Sequence, residues 1–371
     1  MTPSAVLVTG ANGFFGCHLL WDLQQRGIRR LRCLVRGSDT EQISQKLQSA
    51  LKAHQLPLAF EPIEVVAADL AKADFGLPPE DLAQLTCGID TIVHAGACVN
   101  FTASADQMQR TNVEATKTLL DLAKTTGVRR FIQISSLAVV NGLDWPEGTA
   151  VAETPIAVDQ PSSAGHYGRS KLAAEQACIN ANSSSGLEVC VLRLPYLLAS
   201  STKQSINPSG YLDVVLRAVL LLGQSFDDAF NVHPLPVDQC AAWVGAVATA
   251  PTAPLIAHVL HRGSMPWQVW LDAAEAMGQP IGREPMAQWY RRLRQSASDS
   301  RDPRLLEAIA FLKLEPTHQR WMHMNAHRLE FDNHNLSALV AEASQPQQLS
   351  MAYKQAILRG LLLETNLRSG E

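Results

Sequence analysis

The chain has 371 residues, 46% of them apolar and 18% charged, with a formal net charge of −4. That describes a soluble globular protein with one large domain, or a large one with a smaller lobe, and gives no reason to expect a nucleic-acid partner. The longest apolar runs, such as Val214 to Leu222, carry Arg217 and are too short to cross a bilayer, so no membrane partner is expected. Seven cysteines (17, 33, 87, 98, 178, 190, 240) are scattered, odd in number and without a C-x-x-C pair. They read as reduced core residues of a cytoplasmic protein. The first strand begins within a few residues of the N-terminus, which leaves no room for a signal peptide.

Ala5 to Val8 is an apolar, β-branched run of the kind found in a buried parallel strand. It breaks at Thr9-Gly10, and Gly13 and Gly16 follow before a helical pattern from Phe14 to Arg26. The spacing is G-x-x-G-x-x-G. Gly10 allows the tight turn, Gly13 lets backbone approach a pyrophosphate, and Gly16 lets the helix lie close. A helix N-terminus there offers free N–H groups and a positive dipole end to phosphates. The second strand, Leu31 to Val35, ends in Arg36 with no acid beside it. An arginine at this strand end suits a 2′-phosphate, and hence NADPH rather than NADH. Arg29 and Arg32 are near enough in sequence to share that task. A polar helix (Thr40 to His54) leads to a third strand, Ile63 to Ala67, closed by Ala68-Asp69-Leu70. Asp69 suits either the adenine amino group or a plain turn cap.

The fourth strand, Thr91 to His94, runs into the small residues Ala95-Gly96-Ala97, which permit close approach to a ligand. A helix from about Ser104 to Thr126 carries Asn112 and stops at Gly127. The fifth strand, Phe131 to Ile134, is followed by Ser135-Ser136. Strands alternating with helices imply a doubly wound parallel sheet, with ligand at the carboxyl edge. Gly10, Arg36, Asp69, Ala95 and Ser136 all fall on that edge. Past a Pro/Gly/acid-rich loop (Asp144 to Ser163) comes Tyr167-x-x-x-Lys171, which sets both side chains on one helix face. An ammonium beside a phenol is expected to lower the tyrosine's pKa from about 10 towards the working range. Tyr167 is then a candidate general acid for a carbonyl oxygen, a role worth about 10²- to 10⁴-fold, and Ser136 is placed to hydrogen-bond the same oxygen.

The motifs Val8-Thr-Gly-x-x-Gly-x-x-Gly16, His94-Ala-Gly-Ala97, Asn112-Val113, Ser135-Ser136 and Tyr167-x-x-x-Lys171 resemble the extended short-chain dehydrogenase/reductases. Cys33-Leu-Val-Arg36, Asp69-Leu70, Ala97-x-Val-Asn100 and Pro236-Val-Asp238 look, within that superfamily, like the thioester reductases, the reductive-release domains of nonribosomal peptide and polyketide synthases. Gly278 to Gly282, Met286-x-x-Trp289 and Phe331 to Asn335 fit that family's C-terminal lobe. The resemblance implies a Rossmann fold with a smaller, mostly helical C-terminal substrate lobe. It also implies NADPH-dependent release of an acyl or peptidyl thioester from a carrier protein's phosphopantetheine arm, as an aldehyde or onward to the alcohol. By position it makes Tyr167 the proton donor, Lys171 the ribose-binding residue that tunes it, Ser136 the family's Thr/Ser, and Asn112 the structural or proton-relay Asn. The cofactor is implied to touch Thr9, Gly10, Asn12, Gly13, Phe14, Phe15 and Gly16 on the first turn, then Arg36, Asp69 and Leu70. Ala95, Gly96, Ala97, Tyr167, Lys171, Leu194 and Pro195 complete its site. Ser136 in place of Thr, Ala68 before Asp69, and the absence of a glycine after Arg193 to Tyr196 depart from the family pattern.

The implied domains are 1–198 for the cofactor, with 225–262 returning to it, and 199–224 with 263–371 as the substrate- and carrier-facing lobe. Tyr211 to Leu222 and Val237 to Val247 read as helices and Leu255 to Leu260 as a late strand. The Trp-rich region after Ser264 reads as core that also walls an acyl cleft. His318, His323, His327 and His334 lack the H-E-x-x-H arrangement, so no metal is expected. Two other readings compete: a nucleotide-sugar epimerase or dehydratase, against which Arg36 argues, and a non-redox Dieckmann-cyclising domain, against which the intact Ser136, Tyr167 and Lys171 argue.

Overall fold

The structure, a computed structural model, describes residues 3–99, 103–140, 145, 150–157, 165–184, 186–203, 207, 210–227, 231–312 and 329–367. Asn100, most of the loop from Asp144 to Ser163, Trp321, His318, His323 and His327 lie outside them.

Seven parallel strands form the central sheet: β1 (Ala5–Thr9), β2 (Arg30–Val35), β3 (Ile63–Ala67), β4 (Thr91–His94), β5 (Arg130–Ser136), β6 (Glu188–Leu194) and β7 (Ile256–His258). Their spatial order is 3-2-1-4-5-6-7. The order reverses at β1, so the crevice between the ends of β1 and β4 is where a ligand sits in such a sheet. All five residues of β1 are buried, as a central parallel strand covered by helices on both faces requires. The helices are α1 (Phe14–Gln25), α2 (Thr40–Ala53), α3 (Ala115–Thr126) and α4 (Gly165–Ser184). Then come α5 (Tyr211–Leu222), α6 (Val237–Thr249), α7 (Gln268–Glu275), α8 (Met286–Ser300), α9 (Pro303–Phe311) and α10 (Met351–Leu367). Gly127, with φ 75°, ends α3 in the left-handed conformation a C-terminal glycine allows. None of the described helices is long and apolar enough to cross a membrane.

The sequence pattern did not foresee Arg130. Its side chain is fully buried, pairs with Glu188 (Nε–Oε2 2.7 Å), and donates from Nη1 to the carbonyls of Val247, Ala248 and Ala250. A guanidinium is thereby set against the carbonyl end of α6, where the helix dipole and the orphan carbonyls both favour a cation. This bond fastens α6 to the sheet from more than a hundred residues away.

A second hydrophobic cluster gathers around α5, α7, α8, α9 and α10. Trp267, Trp270 and Trp289 are all core. Phe226 stacks on Trp267 (5.3 Å, 15°) and meets Trp289 edge-on (5.3 Å, 78°), while the indole N–H groups reach Ser225 Oγ and the Gln224 carbonyl. Phe226 and Val232 belong to this cluster, whereas Leu235 and α6 pack against the sheet. Packing against the main sheet thus resumes near residue 235. The C-terminal segment also touches the main sheet. Leu329 and Phe331 pack with Leu137, Val140, Val151 and Leu172, and Leu336 and Ala343 join the main sheet's core. Asn335 Nδ2 donates to the Ile256 carbonyl and Asn333 Nδ2 to those of Leu260 and Ala343. Residues 329–345 are therefore a clasp on the edge of the seven-stranded sheet, and the chain returns to the second cluster at Leu349 and α10. Side-chain amides bonding distant backbone carry no periodic signal, so only the resemblance spoke to this segment.

Candidate active site

The glycine turn is built by contact. Gly10 has φ +68°, and a Cβ on it would lie 2.8 Å from both Gly96 Cα and Gly96 N. A Cβ on Gly16 would strike the carbonyl oxygen of Gly10 and approach Ala11 Cα at 2.9 Å. Gly16 is thus needed by the turn itself. Gly13 N–H bonds the Gly10 carbonyl at 3.0 Å, and Gly13 caps α1 with no side-chain hydrogen bond and no acid in the first turn. The first N–H groups of α1 are left to an anion. Thr9 joins the two strand ends: its hydroxyl oxygen accepts from Gly96 N–H at 2.8 Å and lies 2.7 Å from His94 Nδ1. Burial, then the charge of Lys171, push His94 down to about 3, so the ring is neutral.

Around this turn Asn12 and Gly13 are exposed, and Phe14, Phe15, Ala95 and Ala97 are half-buried. Phe14 meets His18 and His54 edge-on at 5.7 and 5.4 Å. Leu70 reaches over Gly96, where a Cβ would lie 2.5 Å from its Cδ1. Asp69 is half-buried, and one carboxylate oxygen caps the backbone N–H of Ala71 at 3.0 Å, which is the turn role. Leu194 ends β6 buried, with Pro195 half-exposed beside it.

Arg36 is exposed at the carboxyl end of β2, and Lys46 from α2 donates to its carbonyl at 3.0 Å. The two neighbours that might share its work do not. Arg32 is buried against Glu64 (2.9 Å) and the carbonyls of Gln84 and Leu85, and Arg29 precedes β2, at the opposite edge of the sheet. Lys46 beside it was not singled out from the sequence, because its approach depends on how α2 lies.

Tyr167 and Lys171 face the end of β5 from α4. Ser136 is hydrogen-bonded to the Tyr167 side chain, and Lys171 Nζ lies 6.0 Å from the tyrosine ring centroid while donating to the Ile134 carbonyl at 2.9 Å. The expected lowering of the tyrosine pKa does not occur in this arrangement. Burial pushes Tyr167 up to about 12, against the pull of the Ser136 hydrogen bond, and burial pulls Lys171 down to about 8. Desolvation of both groups outweighs their proximity, and the ammonium is spent on a carbonyl.

Asn112 sits in a π-helical turn (Gln109–Glu114) between a short helix and α3. Single π turns recur at functional sites, and here Thr116 Oγ1 donates to the Asn112 carbonyl at 2.7 Å. Its side chain is a staple. Oδ1 accepts from Cys98 N–H (2.7 Å), and Nδ2 donates to the Cys98 carbonyl (3.1 Å) and to Ser170 Oγ (2.9 Å). The loop after β4 is thereby tied to the first turns of α4. Glycine turn, Arg36, Asp69, the 95–97 loop, Ser136 and the Tyr167–Lys171 face all lie at one edge of one sheet.

This arrangement agrees with the comparisons. The profile of the family described as "Male sterility protein", an NAD-binding family, matches residues 8–244. The large subunit of L-2-aminoadipate reductase from Eremothecium gossypii is 29% identical over 84% of the chain, and the isonitrile lipopeptide synthase of Streptomyces coeruleorubidus is 32% identical over 80%. The chain spans only 24% and 20% of those proteins. Among solved structures, the terminal R domain of the myxalamid PKS-NRPS pathway superposes with a TM-score of 0.83 at 23% identity, covering 100% of this chain and 92% of that one. UDP-glucuronic acid 4-epimerase from Bacillus cereus, at 17% identity over 97% of this chain and 99% of its own, gives 0.65. With nearly two thirds of its length inside the matched profile, the chain belongs to this NAD-binding family.

Proposed function

We propose that the protein is an NADPH-dependent reductase that releases an acyl or peptidyl group from a carrier protein's phosphopantetheine thioester as an aldehyde. The observation carrying this reading is the convergence of Ser136, Tyr167 and Lys171 beside a glycine turn into which no side chain could fit. Family membership supports a nicotinamide cofactor. Exposed Arg36 with Lys46 beside it supports the 2′-phosphorylated form, and the occurrence of a "thiolation-reductase di-domain" among the structural neighbours (TM-score 0.80, 17% identity) supports a carrier as donor.

The glycine turn supports a dinucleotide at this edge. Gly10, Gly16 and Gly96 keep the turn packed so closely that a Cβ on any of them would strike its neighbours, and the uncapped first turn of α1 at the same edge is left to bind an anion. Bound there, NADPH would supply hydride to the thioester carbonyl carbon. Tyr167 gives its proton to the carbonyl oxygen, with Ser136 bonding the same oxygen and orienting the phenol. A neutral Tyr167 is the form a proton donor needs, and burial keeps it neutral throughout the physiological range. Collapse of the hemithioacetal breaks the carbon–sulfur bond, so thiol and aldehyde leave together. Asn112 acts as the staple that holds the 95–98 loop against α4, since its described contacts use both polar atoms.

The test is consumption of NADPH and of NADH with an acyl thioester, first as a small thiol ester and then loaded on carrier protein, with the product identified by mass spectrometry. Aldehyde or alcohol formed from NADPH is the expected result. Binding of a sugar nucleotide with retained NAD and no thioester turnover would support the epimerase reading instead.

A further inference from the structure

Helix α4 carries a third ionisable side chain on the face of Tyr167 and Lys171, and the chemistry above leaves it without a task. Glu175 lies one turn beyond Lys171 and is almost wholly buried. Its carboxylate accepts from Ser135 Oγ at 2.5 Å and from Arg193, through Nη2 at 2.8 Å and Nε at 3.1 and 3.2 Å. Arg193 is fully buried and also donates to the Thr154 carbonyl at 3.1 Å. Its Nη1 lies 3.2 Å from His258 Nε2, and His258 Nδ1 lies 2.6 Å from the Asp332 carbonyl oxygen. Because Arg193 can only donate, His258 accepts at Nε2 and gives its Nδ1 proton to Asp332, within the clasp of residues 329–345.

We infer that Glu175 is a positioning residue for Lys171: a buried carboxylate, held in register by Ser135 and Arg193 one helical turn from Lys171 on the same face of α4, which keeps the Lys171 side chain an ammonium. The inference rests on the reductase reading, in which Lys171 acts as a cation. Moving an ammonium out of water disfavours its charged form, and a carboxylate on the next turn restores it. The charged or titratable groups facing Lys171 are Tyr167, Glu175 and Cys178 on α4 and neutral His94 on β4, with the Ile134 carbonyl on β5. Burial lowers Lys171 to about 8, and Glu175 is the largest influence pulling it back. If Glu175 loses its charge, two cations remain, and Arg193 cannot give up its proton. Lys171 is then the group that deprotonates. A role confined to anchoring α4 predicts something different: lower stability and a lower rate by the same factor at every pH.

The experiment uses the full chain with NADPH and acyl thioester, recording single-turnover rate and NADPH affinity (by its fluorescence) from pH 6 to 9.5. Glu175→Gln is nearly isosteric and still accepts from Arg193. It should move the alkaline limb of both profiles down by about one pH unit or more. Glu175→Asp keeps the charge but withdraws it by a methylene, and its limb should fall between those of wild type and Glu175→Gln. Limbs that coincide in the three proteins, with only a pH-independent loss, overturn the inference. If Glu175→Gln does not fold, Glu175→Asp alone decides: a lowered limb supports it, an unmoved one overturns it. Wild-type protein that binds NADPH but reduces no thioester, free or carrier-bound, refutes the reductase reading. The inference is then judged on NADPH affinity alone, by the same order of limbs. Failure to bind NADPH overturns both.

Discussion

Substituting alanine at Gly10 separates two costs that glycine conceals. The left-handed conformation at φ +68° costs an L-residue about 1–2 kcal/mol. The new Cβ would also lie 2.8 Å from Gly96 Cα and N, and 3.0 Å from Ala95 C, which are backbone atoms with no side-chain torsion to relieve the contact. Two strand ends must part by several tenths of an ångström, an overpacking cost of about 1–3 kcal/mol. The total is about 2–5 kcal/mol. Gly27→Ala is the control, because Gly27 has φ +80° and nothing within 4 Å of the added methyl; it should lose only the conformational part. Gly13 has φ −81° with the Gly10 carbonyl oxygen at 3.2 Å, so Gly13→Ala should fall below either. Urea denaturation gives the stabilities, and NADPH fluorescence titration gives the affinity. Gly10→Ala displaces the backbone proposed to face the pyrophosphate, so NADPH affinity should fall about tenfold or more, equivalent to about 1.4 kcal/mol per decade. Gly27→Ala should bind as wild type. Equal stability losses at Gly10 and Gly27, or unimpaired NADPH binding by Gly10→Ala, would refute the reasoning.

Tyr167→Phe should lower kcat by about 10²- to 10⁴-fold with NADPH affinity nearly intact; a fully active variant, measured by aldehyde formation, removes Tyr167 as proton donor. Arg36→Asp should weaken NADPH by about tenfold or more and leave NADH little changed, because only the 2′-phosphate loses a partner; equal loss for both cofactors takes Arg36 out of the site. Glu153 accepts from the backbone N–H groups of His258 (2.7 Å) and Asn335 (2.6 Å), yet burial, with Asp332 nearby, raises its pKa to about 7. A raised folded-state pKa contributes stability below the unfolded value near 4.5, which is lost as pH rises through 7. Thermal melts of Glu153→Gln should therefore show a flatter dependence between pH 4.5 and 7 than wild type. Parallel curves would exclude Glu153 as the group responsible.

The alternation of apolar runs with helical periods, the glycine spacing and the Tyr-x-x-x-Lys turn are local features. A strand repeats every two residues, a helix every 3.6, and a turn depends on its own backbone angles. From these the sequence by itself determined the doubly wound sheet, the bounds of strands such as Ile63–Ala67 and Thr91–His94, and the edge on which Gly10, Arg36, Asp69 and Ser136 would meet. Tertiary structure alone decided which arginine stays at that edge. Arg32 is drawn under the sheet by Glu64 and two carbonyls, and Arg36 is left in solvent. It also decided the charge balance of the Tyr167–Lys171 face: spacing puts Lys171 beside Tyr167, but burial raises the phenol and lowers the ammonium. The pairing of Glu175 with Arg193 links positions 18 residues apart, the capping of α6 by Arg130 reaches up to 120, and the Asn335–Ile256 bond of the 329–345 clasp spans 79. Such contacts arise from packing and desolvation, which exist only once the chain has closed on itself, so no local period could announce them.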